Sequence, residues 1–298
     1  MKTLKNPLAL KTLLGDYPNT KALKSGDIHS ASVAFDFADV KVPNTAFKDV
    51  VRHLKYDVAE LAIVTFLQAK AHGKPLVLLP AVVVGALPHP FLVYDAGGRR
   101  ISPADLKGKR VGIRAYSLTT AAWIRGVLQN EHGVDLDGIQ WVTFEDPHVA
   151  EYADPPTAVR APAGKSMVQM LTDGEIDAAV VGGTDLIDSR LQPVIPNPRE
   201  AAQAWCKRHG VLPINHMLVV KKSLAETNPN AVKEVFQLVG ESKQAMSSVG
   251  SDLDPLQFGL ANIRRSLELI IRYSTQQGLI SQQIPVDDLF NDMTRNLV

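Results

Sequence analysis

The 298-residue chain holds a single cysteine, Cys206. That excludes an intrachain disulfide and any cysteine-built zinc site, and it fits a reducing compartment. Net charge is nearly absent: 32 Lys and Arg less 31 Asp and Glu leave +1. A balance this close to neutral supports neither a nucleic-acid partner nor a membrane-surface role. No apolar run reaches the roughly 18 residues a membrane-spanning helix needs. The longest, 75–87, is punctuated by Pro80 and Gly85 and followed by Pro88. The opening MKTLKNPLALKTLLGDYPNT puts basic residues ahead of apolar ones, but Lys11 and Thr12 break the stretch. No small-x-small cleavage site follows, so the expectation is a cytoplasmic protein. A G-x-G-x-x-G dinucleotide fingerprint, a Walker motif and a G-x-S-x-G elbow are all missing.

What is present is enough chain for a large buried core, near two domains by length. LALKTLL alternates as a first strand does, giving Leu8–Leu14, closed by Gly15-Asp16-Tyr17-Pro18. Ser32–Phe37 alternates likewise, and Phe47, Val50, Val51 and Leu54 have helical spacing. Tyr56–Leu61 reads as a short strand entering a helix over 62–71, and Leu76–Val84 and Phe91–Tyr94 read as strands. A second series follows. Ser102 caps a helical turn with Pro103 at its first position. Strands are predicted over Lys109–Ile113, Ile139–Phe144 and Ile176–Val181, and helices over Leu118–Glu131 and Ser166–Asp173, closed by Gly133 and Gly174. After a strand at Ile214–Val220 the chain reads as mostly helical, over Pro229–Met246, Pro255–Gln277 and Pro285–Leu297. No solenoid-period repeat occurs.

Alternating strands and helices predict an α/β protein of two lobes. Crossings are expected near Val93–Gly97 and Val194–His216, giving one discontinuous lobe of residues 1–95 and 215–298 and another of 96–214. A ligand is expected at strand carboxyl ends and helix N-termini, in a cleft between the lobes.

The segment from Pro103 to Ile113, PADLKGKRVGI, resembles the turn and strand that open the second lobe of type II periplasmic-binding-protein folds. The run from Tyr116 to Gln129, YSLTTAAWIRGVLQ, resembles the Y-x-x-T-x-x-x-W-x-R-G-x-L segment of the 4,5-dihydroxyphthalate decarboxylase-like branch of that fold. Gly15-Asp16-Tyr17, Tyr56–Glu60 and Leu212–His216 (LPINH, beside a family F-P-I-M-H) agree with it. The resemblance covers most of residues 8–220 and implies a two-lobed fold with a helical C-terminal segment. It implies a non-oxidative decarboxylase of a hydroxylated aromatic acid that needs no organic cofactor. Two family arginines are missing: the first strand is followed by Asp16-Tyr17-Pro18-Asn19-Thr20, and Leu87-Pro88-His89-Pro90 stands where Phe-Arg-His is usual. A related aromatic or cyclic acid is therefore open as substrate. The other class of reading is a solute-binding receptor of an ABC-type uptake system for a small organic anion, which needs the cleft and no proton donor.

Candidate residues follow. Ser117, Thr119 and Thr120 open a helix after a strand, where hydroxyls and unpaired N–H groups suit a carboxylate; the same residues also read as ordinary N-caps. Arg125, two turns into that helix, reaches a substrate or braces the lobe. Glu60 reads as a buried carboxylate that polarises a phenol or passes a proton, or as an exposed glutamate favoured by a helix dipole. His216, at the return crossing, is the first choice for proton donor, with His148 second and His89 third. Asp16, Tyr17, His89, Tyr116 and Thr184 complete the expected substrate contacts, Thr184 within a Gly182-Gly183-Thr184-Asp185 loop. The three histidines with Glu145 and Asp146 give only a weak metal signal, without His-x-x-x-His spacing, so no metal is expected. Cys206 reads as a packed helix thiol. The long C-terminal helices dock on the lobes or form a homo-oligomer.

Overall fold

The computed structural model describes residues 6–182, 188–246 and 254–298. Two compact units divide the chain, one formed by Met1–Gly85, Ile214–Glu268 and Ile284–Val298, the other by Ala86–Pro213 and Leu269–Gln283. The first unit opens with strands β1 (Leu8–Leu13), β2 (Val33–Phe37), β3 (Val58–Ala62) and β4 (Leu76–Gly85). The second carries β5 (Leu92–Asp95), β6 (Arg110–Ile113), β7 (Gln140–Thr143), β8 (Ala158–Arg160), β9 (Ala178–Val180) and β10 (Leu191–Pro193). The chain then returns to the first unit with β11 (Ile214–Lys221). The outward crossing lies at Gly85–Ala86, ahead of the Val93–Gly97 region the sequence pointed to. The reason is pairing: Leu92–Asp95 bonds to β9 and β10 and so belongs to the second sheet.

The first sheet runs β2-β1-β3-β11-β4 and the second β10-β5-β9-β6-β7-β8. Both are mixed. β1 is parallel to β2 and β3, and β11 is antiparallel to β3 and β4. In the second sheet β6, β7, β8 and β9 pair in parallel, while β5 and β10 join antiparallel at the edge. Pro80 lies within β4, inside the strand expected over Leu76–Val84. β4 is an edge strand, where a missing N–H costs no ladder bond, and the Pro80 carbonyl accepts from the Gly259 N–H at 2.8 Å.

The helix Pro229–Gln244 buries Val232, Val235, Phe236 and Val239 against Leu10, Val58, Leu79 and Val220 of the first sheet. Each such side chain contributes about 1.5–3 kcal/mol when fully buried. The helix Thr119–His132 ends at Gly133, whose φ of +63° is the left-handed conformation that lets a glycine close a helix. The helix expected from Pro255 begins at Leu260. The one expected over Pro285–Leu297 is instead two short 3₁₀ turns, Val286–Leu289 and Thr294–Asn296. Between them Phe290 is extended, and Asn291 and Thr294 exchange side-chain-to-backbone bonds (Thr294 N–H to Asn291 Oδ1 at 2.8 Å, Asn291 N–H to Thr294 Oγ1 at 3.1 Å). Such local pairing competes with helix propagation. No helix among the described residues is long and apolar enough to cross a membrane.

Candidate functional site

β3 reads Val-Ala-Glu-Leu-Ala, and all five residues are buried. Glu60 thus lies in mid-strand with no solvent exposure, not at an exposed helix start. A carboxylate so placed is tolerated only when its oxygens are satisfied, and here three groups converge on it. The Gly15 N–H donates to Oε2 at 2.7 Å, and the Tyr17 hydroxyl donates to Oε1 at 2.8 Å. Nδ1 of His216 lies 2.9 Å from the same Oε1.

The topology explains the convergence. β11 runs antiparallel to β3 with Leu218 opposite Glu60 and His216 opposite Ala62, so His216 is the diagonal neighbour of Glu60 on one face of the sheet. On its other side β11 pairs with β4 through register shifts on either side of His216, the kind of irregularity that re-aims a side chain. Phe47 meets the imidazole edge-to-face, with centroids 5.1 Å apart. The His216 side chain keeps 15% of its surface exposed, so the ring joins a buried carboxylate to the surface of its unit. Thr20 fixes the loop after β1: its hydroxyl donates to the Gly15 carbonyl at 2.7 Å and accepts from the Tyr17 N–H at 3.0 Å. Burial, with the negative charge of Glu60 beside it, pushes the Tyr17 phenol well above the usual range, so it stays a donor.

The second unit holds the other expected group. Tyr116, Ser117 and Thr119 are buried and Thr120 is half-buried, at the start of the helix Thr119–His132. Leu118 is the N-cap residue, and its side chain makes no capping bond. A helix start offers positive partial charge and backbone donors of the kind a carboxylate accepts from. Arg125 is completely buried. Its Nη2 donates to the Tyr116 carbonyl and its Nε to Gln277 Oε1, both at 2.7 Å. The guanidinium lies 4.0 Å from the centre of the Tyr116 ring and 5.3 Å from that of Trp141. Gln277 returns a bond from Nε2 to the Ala122 carbonyl at 2.9 Å. Arg125 therefore braces the segment that leads into the helix. Burial lowers its pKa, opposed by the nearby Tyr116, Tyr152 and Asp154. Trp123 packs in the core between Trp205 and Tyr273.

Other expected residues stand apart from these groups. Asp16 is exposed and pairs with Lys24. His89 is 2% exposed, edge-on to Trp205, and burial with the charge of His132 lowers its pKa to about 4, so it is neutral at pH 7 and supplies no cation. His148 is buried in the loop after β7, where Glu145 pairs with Arg114 and Asp146 with Arg160. Thr184 lies outside the described residues. Among the described residues no group of three or more His, Cys, Asp or Glu is placed to hold a metal ion. Burial pushes the Cys206 thiol up to about 11, which suits a packed side chain rather than a nucleophile. Sequence reasoning did not single out the Gly15 N–H, Phe47 or Gln277. Gly15 alone carried a signal, as the first residue of Gly15-Asp16-Tyr17.

No protein-family profile matches the chain. A 4,5-dihydroxyphthalate decarboxylase from Comamonas testosteroni is 33% identical over 234 residues, covering 74% of this chain and 71% of that protein. One from Pseudomonas putida is 30% identical over 213 residues, covering 67% and 82%. Among solved structures, the alkanesulfonate-binding protein SsuA from Xanthomonas axonopodis pv. citri bound to MOPS aligns over 96% of this chain and 99% of its own, with a TM-score of 0.59 at 14% identity. The desulfurization enzyme DszB aligns over 97% and 98%, with a TM-score of 0.55 at 14% identity. The architecture is that of type II periplasmic binding proteins, a fold that hosts both receptors and enzymes.

Proposed function

The chain belongs to the 4,5-dihydroxyphthalate decarboxylase family, and from that premise we propose that it is a non-oxidative decarboxylase of a hydroxylated aromatic carboxylic acid in which His216 handles the proton. The observation that carries the role of His216 is its pairing with a fully buried carboxylate, Nδ1 to Glu60 Oε1 at 2.9 Å, on a ring that stays partly exposed. A carboxylate held this way fixes the orientation of the imidazole and leaves its other nitrogen to meet a ligand.

The chemistry needs little else. A hydroxyl ortho or para to the departing carboxylate feeds electrons into the ring. Nε2 of His216 gives a proton to the ring carbon that bears the carboxylate. The bond from that carbon to the carboxylate breaks, its electron pair restores the aromatic ring, and CO2 leaves. His216 then regains a proton from water, so one proton is consumed and one C–C bond is replaced by C–H. Glu60 has no exposed surface and acts on the imidazole rather than on the substrate's phenol.

The test is turnover of a panel of hydroxybenzoates and hydroxyphthalates, followed by CO2 release and ring absorbance, with and without added divalent cations. Turnover of at least one member is expected. His216→Ala is expected to keep binding that substrate and to lose turnover by about 10²-fold or more. Unchanged turnover in His216→Ala would remove the assigned role. Saturable binding without turnover across the panel would favour a receptor for small organic anions, a use of this fold seen in SsuA.

A further inference from the structure

Glu60 Oε1 is shared. Oε2 faces the Gly15 N–H, a group that can only donate, so that oxygen is an acceptor. Oε1 faces two groups at nearly equal distance, the Tyr17 hydroxyl at 2.8 Å and His216 Nδ1 at 2.9 Å. The half-buried phenol keeps its proton beside an anionic neighbour and donates it to Oε1. The remaining position on Oε1 is filled by His216, which therefore carries its proton on Nδ1. Among the described residues Nε2 makes no hydrogen bond, and it is the ring atom left to exchange protons. Tyr17 stands close against Gly15: a Cβ built there would lie 2.5 Å from the phenol Cζ and 2.6 Å from its oxygen. The hydroxyl is thus held on Glu60 by a close backbone fit as well as by the bond itself.

We propose that Tyr17 is a positioning residue that tunes His216 through Glu60: by taking part of the charge of Oε1, its hydroxyl sets how strongly that oxygen holds the Nδ1 proton and how readily Nε2 releases one. Two donors on one carboxylate oxygen divide its acceptor strength, and bonds in such a network depend on one another. With the hydroxyl removed, Oε1 serves His216 alone, the Nδ1–H bond strengthens, and the doubly protonated ring holds its second proton more tightly. A proton donor to carbon must release that proton, so an overbound imidazolium is a poorer acid.

The other groups facing the ring are few. The loop after β1 contributes Tyr17; Asp16 in the same loop acts on Tyr17 by its charge and is paired with Lys24. β3 contributes Glu60. β4 carries no titratable residue, and the helix Ile63–Ala71 has none before Lys70. The helix Phe47–His53, which carries Lys48, Asp49, Arg52 and His53, presents the Phe47 ring. Lys221, on β11 itself, is paired with Asp57. Among the described residues, no cation is bonded to Oε1 and the phenol is its partner besides His216.

The inference rests on the proton-handling role of His216, and its test is chosen so that the two can fail separately. The first readout needs no turnover. In ¹⁵N-labelled full-length protein, the His216 ring signals are identified by their loss in His216→Gln. The neutral ring is expected to show the Nδ1–H tautomer. Tyr17→Phe is expected to keep that tautomer and to move the Nδ1 proton downfield as its bond shortens, whereas Glu60→Gln is expected to move it upfield. The second readout is the pH profile of turnover. Tyr17→Phe is expected to shift it to higher pH by roughly half a unit, a fraction of what one charged hydrogen bond supplies, and to lower kcat several-fold with KM little changed. Glu60→Gln is expected to shift it the other way. An Nε2–H tautomer in the wild-type protein, or a Tyr17→Phe variant whose Nδ1 proton does not move, overturns the inference whether or not the panel yields a substrate. A Tyr17→Phe variant that raises KM alone overturns it too and makes Tyr17 a substrate contact.

Discussion

Gly15→Ala isolates the close fit between the loop after β1 and the Glu60 network. Gly15 does not adopt a positive φ, so alanine meets no backbone strain there. Its Cβ, however, would lie 2.5 Å from the Tyr17 Cζ, where ordinary contact begins near 3.4 Å. The phenol must retreat by about 1 Å to reach normal contact. Its hydroxyl, now 2.8 Å from Oε1, then leaves hydrogen-bond range. A bond to a charged acceptor contributes about 1.5–3 kcal/mol, while replacing glycine by alanine returns about 0.4–1 kcal/mol by restricting the unfolded chain. The net expectation is a loss of about 1–2 kcal/mol, read by calorimetry as a midpoint lower by about 2–6 °C. A double-mutant cycle with Tyr17→Ala gives the decisive figure. Without the ring, Gly15→Ala has nothing to strike and becomes neutral or mildly stabilising, so the two substitutions couple by about 1–2 kcal/mol. Equal destabilisation by Gly15→Ala in both backgrounds would refute the argument, since the cost would then come from somewhere other than Tyr17.

Two further outcomes follow from the second unit. Arg125→Met removes the donors to the Tyr116 carbonyl and to Gln277 Oε1 and leaves two buried acceptors unpaired, so a loss of about 2–5 kcal/mol is expected in urea unfolding; a variant within 1 kcal/mol of the parent would show that the brace contributes nothing to stability. His89 has a folded-state pKa of about 4 against an ordinary 6.5, so the unfolded chain takes up the proton first. Its contribution is complete above about pH 6.5 and is lost as the pH falls toward 4, by about 3 kcal/mol in all. His89→Phe, which keeps a ring against Trp205, should flatten that part of the stability profile in denaturant titrations between pH 7 and 4.5; an unchanged slope would show that another group carries it.

Much of the scaffold was legible in the chain. Leu8–Leu13, Val33–Phe37 and Arg110–Ile113 alternate or run apolar as strands must, and Gly133 closes its helix where the sequence placed it. Pro80 is tolerated inside the strand expected over Leu76–Val84 because β4 lies at the sheet edge, where a missing N–H costs no ladder bond. The misread segment is one where side-chain pairing overrides a helical cue. Pro285–Leu297 looked helical and is held in 3₁₀ turns by the exchange between Asn291 and Thr294. The site was legible in pieces. Gly15-Asp16-Tyr17, Tyr56–Glu60 and Leu212–His216 each carried a family resemblance, with nothing in the sequence to say that they meet.

By itself the sequence determined the α/β class, the absence of disulfides, the family resemblance and the residue types available for proton chemistry. These follow from composition, from short-range periodicity and from motifs a few residues long. Only the tertiary structure decided that Glu60 is buried in mid-strand and that Tyr17 and His216 share its Oε1, with Gly15 on the other oxygen. Only the tertiary structure showed Arg125 bonding to the Tyr116 carbonyl and to Gln277. Glu60 and His216 are 156 residues apart, and Arg125 and Gln277 are 152. Contacts at that separation are set by strand register and sheet order, where a slip of one residue turns a side chain to the opposite face. Local pattern carries no record of that register.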